Sequence, residues 1–170
     1  MGLRLAQKAA FAAFVAAALP YAPASAATIT ATAKAKVVKP LALESRQNLD
    51  LGTIILGPGV WSGTTVKLSR TGVLTCGGNV TCAGATQVAQ YNVSGSNGET
   101  VVITVPNVTL VNQADSTKTL TLTPDKPPPI ALTNSGNPGT TFSIGGSVTV
   151  SSTTFGGTYE GTFNVTADYQ

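Results

Sequence analysis

Gln87-Val88-Ala89-Gln90-Tyr91-Asn92-Val93-Ser94-Gly95-Ser96-Asn97-Gly98-Glu99-Thr100-Val101-Val102-Ile103-Thr104-Val105 reads as two extended runs joined by a turn. Ala89, Tyr91 and Val93 alternate with polar residues, which places them on one face of a strand. Residues 100–105 are a β-branched run. Asn-Gly readily adopts the positive φ angles of a tight reversal, so Asn97-Gly98 predicts a hairpin pairing the two runs.

The same signature recurs on both sides. Leu49-Asp50-Leu51-Gly52-Thr53-Ile54-Ile55 is a strand closed by Gly57-Pro58-Gly59, and residues 60–68 form another, with Val66 and Leu68 in phase. These two are expected to pair as a hairpin. Val108 to Val111 and Thr117 to Thr123 give short strands around a polar turn, with Leu120 and Leu122 inward. Asp125 to Pro129 is expected to be irregular or polyproline-like, a stiff connector, because proline cannot donate to a ladder. Ile130-Ala131-Leu132 follows, then residues 142–150 with Phe142, Ile144, Val148 and Val150 in phase. Only residues 44–48 suggest a helical turn. Short strands about every ten residues, punctuated by Gly, Pro and Asn, predict an all-β fold, specifically an immunoglobulin-like antiparallel β-sandwich. A β-solenoid would need a fixed repeat, and none is present.

The two ends also read as strands. In residues 27–38, Ile29, Ala31, Ala33, Ala35 and Val37 fall on one face, and Thr28, Thr30, Thr32, Lys34 and Lys36 on the other. The apolar face is made of small residues and suits close insertion against an existing sheet, as a donor or edge strand. The lysines line its polar face and discourage unwanted edge pairing. Residues 158–170 alternate likewise, with Tyr159, Phe163, Val165 and Tyr169 on one side.

Residues 1–26 have the pattern of a cleaved export signal: Arg4 and Lys8, an apolar run over residues 9–19, and Ala24-Ser25-Ala26 before the cut. That run is shorter than the roughly 20 residues a spanning helix needs, and no other stretch approaches it. The expected mature chain, residues 27–170, is a single domain with no integral membrane segment. The sequence carries ten Lys and Arg against seven Asp and Glu. Removal of Arg4 and Lys8 leaves a nearly neutral chain with scattered basic residues and no nucleic-acid stripe.

Cys76 and Cys82 flank a turn-like segment in an exported chain, which favours a local disulfide. Two thiols without histidine do not make a metal site, and the chain has no histidine. The acidic residues are dispersed and no serine lies in a nucleophile motif, so neither an enzyme nor a cofactor is expected. Trp61 has two readings: a platform for stacking on a sugar ring, or, as is more usual for aromatics, packing on the core.

The stretches Ala27-Thr28-Ile29-Thr30-Ala31-Thr32-Ala33, Val38-Lys39-Pro40-Leu41, Leu49-Asp50-Leu51-Gly52-Thr53-Ile54 and the ending Gly157-Thr158-Tyr159-Glu160-Gly161-Thr162-Phe163 through Tyr169 together resemble a family of exported bacterial proteins known only as a domain of unknown function. That family is similar to the pilins and spore-coat-type subunits of chaperone–usher fimbriae. The resemblance implies a bacterial cell-surface fimbrium, or a periplasmic or extracellular location. It implies copies of itself or related subunits as partners, assembled with a periplasmic chaperone and an outer-membrane usher. It further implies that Ile29, Ala31, Ala33, Ala35 and Val37 are donor residues, inserted into the next subunit by β-augmentation. Tyr159, Phe163, Val165 and Tyr169 would line the strand beside the acceptor groove. The competing expectation is a self-complemented secreted or periplasmic module that binds carbohydrate near Trp61 and the Cys76–Cys82 loop.

Overall fold

The computed structural model describes residues 25–170. The expected export signal, residues 1–26, lies almost wholly outside the described residues. The chain divides into two units, Met1–Ala35 and Lys36–Gln170. Of the first, residues 25–35 are described, and they have no regular secondary structure. The second is built of thirteen strands, with no helix among the described residues. In chain order these are β1 (Ala42–Gln47), β2 (Thr53–Leu56), β3 (Thr64–Leu68), β4 (Leu74–Cys76), β5 (Val80–Ala83), β6 (Ala89–Ser94), β7 (Thr100–Thr104), β8 (Val108–Asn112), β9 (Thr119–Asp125), β10 (Ile130–Ala131), β11 (Thr140–Val150), β12 (Tyr159–Glu160) and β13 (Thr166–Tyr169).

All ladders are antiparallel. The largest sheet runs β1-β6-β11-β9-β8-β12, with β3 joined to β11 and β4. A three-stranded sheet, β10-β7-β13, and a two-stranded sheet, β2-β5, complete the set. The protein is an all-β antiparallel sandwich.

β11 organises it. Its first half pairs with β6 and its second half with β9 and β3. Phe142 and Ile144 enter one apolar cluster, with Ala89 and Val93 of β6 and Val101 and Ile103 of β7. Val148 and Val150 enter a second, with Val66, Val108 and Leu122. Ile54, Leu56, Val80 and Trp61 pack against that second cluster. Burying each Val or Ile contributes about 1.5–3 kcal/mol, so one strand ties two cores together.

The pairing differs from the sequence expectation in several places. The Asn97-Gly98 segment is not a hairpin. β6 pairs with β1 and β11, whereas β7 pairs with β10 and β13, so the chain crosses from one sheet to the other. Five residues, 95–99, separate the strands, and the Gly98 amide donates to the Leu132 carbonyl at 2.8 Å. The backbone of the bend is thus satisfied by Leu132 rather than across a hairpin. β2 pairs with β5 and β3 with β4 and β11, so the expected β2–β3 hairpin is also absent. Residues 44–47 belong to strand β1 rather than a helical turn. The C-terminal alternation survives as a row of half-buried residues, but the ladder breaks: β12 joins β8 and β13 joins β7. Residues 27–38 do not form a strand within the chain.

Candidate functional site

A strand inside a sheet has its backbone groups paired on both sides, whereas a sheet edge leaves one row of amides and carbonyls to water or to an added strand. β13 pairs only with β7, and β1 only with β6, so each has an open side among the described residues. The two lie near each other. Leu41 and Leu43 around β1, and Val165, Ala167 and Tyr169 around β13, all pack at the margin of the first core and are half-buried. Leu43 sits opposite Val93 and Tyr169 opposite Val101 across their ladders, and both partners are fully buried. The result is an open margin with apolar side chains beneath it and free backbone groups beside it. It can accept an extended segment whose alternate residues are apolar.

Tyr169 closes one end of this margin. Its hydroxyl donates to the Lys39 carbonyl and accepts the Ser96 amide, both at 2.7 Å. The Lys39 amide donates to Ser96 Oγ at 2.6 Å. Lys36 Nζ lies 2.6 Å from Glu99 Oε2. These contacts fix the chain where it leaves the sandwich toward its N-terminus. A Cβ at Gly95 would meet the Tyr169 hydroxyl and stand 2.8 Å from Leu41 Cδ2, so any larger residue would displace side chains of this fixture. Sequence reasoning placed Tyr169 on the correct face but missed Lys39, Ser96 and Glu99. The Gly95-Ser96 pair beside an aromatic penultimate residue was the available signal.

The anticipated donor residues lie in a segment without strand structure; Ile29 and Val37 are each 93 % exposed. Of the residues expected beside the acceptor groove, Val165 and Tyr169 are at this margin. Phe163 packs against both cores. Tyr159 is elsewhere, in β12, with its hydroxyl donating to the Phe155 carbonyl at 2.7 Å.

Cys76 and Cys82 form a disulfide. It joins β4 of the large sheet to β5 of the two-stranded sheet, so it fastens that small sheet over the second core. Trp61 is half-buried against the same core, with its indole N–H donating to the Gly57 carbonyl at 3.2 Å. Ser152 Oγ donates to the Trp61 carbonyl at 3.1 Å, holding the loop to the end of β11. The indole therefore covers the core. Two shallow surface grooves are present, one of about 330 Å³ beside Lys118 and Phe155 and one of about 420 Å³ beside Arg70 and Pro128. Among the described residues no three His, Cys, Asp or Glu side chains converge as metal ligands. No described helix is long and apolar enough to cross a membrane.

Over residues 41–169 the chain matches the family described as Domain of unknown function (DUF4402), and it belongs to that family. The match takes in both Leu49-Asp50-Leu51-Gly52-Thr53-Ile54 and the C-terminal stretch, and it begins after residues 27–38. No curated protein and no solved structure matches the chain.

Proposed function

We propose that the protein is a non-enzymatic structural subunit, pilin-like, exported to the bacterial surface and polymerised by strand complementation. The segment of residues 27–38 is held near its end by the Lys36–Glu99 pair of its own chain, and the residues before Lys36 add to the open margin between β1 and β13 of the next copy. The observation that carries this reading is the pairing of two incomplete parts. Among the described residues, a segment with an alternating apolar face has no strand partner, and a sandwich margin with half-buried apolar residues has no further strand beside it. Extended, twelve residues span about 40 Å, several times what β13 needs. Backbone hydrogen bonds along the added strand supply affinity, and side-chain positions at every second residue supply selectivity. An unprotected edge in the exported subunit is a template for wrong pairing, which is the physical need a periplasmic chaperone and an outer-membrane usher would meet.

Size-exclusion chromatography with light scattering on residues 27–170 and on residues 39–170 tests the reading. The longer chain is expected to form concentration-dependent chains. The shorter one is expected to stay monomeric and to bind an added peptide of residues 27–38. A longer chain that remains monomeric, with a shorter one that unfolds, would instead assign the segment to its own domain. The alternative of a self-complemented binding module would then stand.

A further inference from the structure

We infer that Lys34 of one copy pairs with Asp168 of the next and sets the register in which the N-terminal segment adds to β13; this rests on the strand-exchange reading above. Between Ile29 and Val37 the apolar face of the segment carries little register information. Ala31, Ala33 and Ala35 are identical and evenly spaced, so a slip by two residues keeps the same face inward and offers the margin nearly the same side chains. Something else must distinguish one register from the next.

The polar face carries that distinction. On β13, Ala167 and Tyr169 are half-buried while Thr166 and Asp168 are exposed, so Asp168 stands on the outer face of the strand and is its only charge. Among the described residues Asp168 belongs to no ion pair. The segment offers two cations on its own outer face, Lys34 and Lys36. Lys36 is engaged by Glu99 of its own chain. Lys34 is left to meet Asp168, and opposite charges on neighbouring strands attract while like charges repel. With these two side by side, Ala33 and Ala35 fall beside Ala167 and Tyr169 whichever way the segment runs. Small side chains are needed there, because the Tyr169 ring is fixed by its bonds to Ser96 and Lys39.

The test is a charge swap in the mature chain, residues 27–170, read as chain yield by light scattering at low salt. Lys34→Glu and Asp168→Lys should each reduce assembly roughly twofold to tenfold, and the double variant should restore it to near the wild-type level. The single-variant defects should shrink at 1 M salt, where the screening length is about 3 Å. Lys34→Gln and Asp168→Asn, which remove the attraction without adding repulsion, should give smaller losses. Thermal melts of each variant separate a folding defect from an assembly defect. Single reversals that assemble like the wild type, or a double variant no better than the singles, would overturn the charge pairing while leaving strand exchange intact. A wild-type chain that never assembles would overturn both.

Discussion

Gly145 sits in the middle of β11, where a Cβ would collide with the Leu68 carbonyl and lie 2.5 Å from the Ser69 carbonyl carbon. Those are backbone atoms of the neighbouring segment and cannot swing aside. Gly145→Ala is therefore expected to destabilise the domain by about 1–3 kcal/mol, or more if β3 must shift, and urea unfolding will measure it. Tyr91 makes a different prediction. It stacks on Phe142 with ring centroids 5.6 Å apart. Burial pushes its phenol above the ordinary value of 10.0, against a smaller opposing pull from Ser45. A pKa raised by folding means the folded state holds the proton more tightly. That contribution is fully present below pH 10 and is lost as pH rises through the folded value. Melting temperature should fall above pH 10, and Tyr91→Phe should flatten that alkaline limb. A limb unchanged in the variant would place its origin elsewhere.

Single strands were legible because their signal is local. Val66 and Leu68 in β3, and Phe142, Ile144, Val148 and Val150 in β11, are buried as their spacing requires. Pairing was not, because it depends on partners remote in sequence. The Asn97-Gly98 bend has the residues of a hairpin, and Gly98 does take a positive φ of 79°. Yet Ala89 and Val93 on one side and Val101 and Ile103 on the other face each other across the first core. Burying both sets at once requires the strands to lie in opposed sheets, and that tertiary demand overrides the local turn preference. The disulfide was legible as a bond but not as a device. It fastens the β2–β5 sheet, which is otherwise held by its own ladder, the second core and a few loop hydrogen bonds such as Trp61 to Gly57 and Thr64 to Gly78. Closure of so short a loop contributes about 2 kcal/mol. Reduction should therefore lower the melting temperature and speed amide exchange in β2 and β5 more than in β6 and β11. Uniform loss across the sheets would contradict a local fastening role.

Across the sandwich, several strands are paired on one side only, and β1 and β13 are the two that flank the margin of the first core. Sequence alternation marks residues 27–38 as having one apolar face and puts Val165 and Tyr169 on the half-buried side of the C-terminal stretch. It could not disclose the fixture between them, since Tyr169 reaches Lys39 and Ser96 across separations of 130 and 73 residues. Nor could it show that residues 27–38 have no strand partner among the described residues, because periodicity specifies a face and leaves the partner unspecified. The central claim is that these residues and β13 complete one another between copies. Amide hydrogen exchange on assembled and monomeric fractions of residues 27–170 tests it most directly. The account predicts that residues 27–38 and residues 166–169 both slow on assembly, with protection alternating along the segment as in a paired strand. Free-peptide exchange of residues 27–38 in assembled material would contradict it.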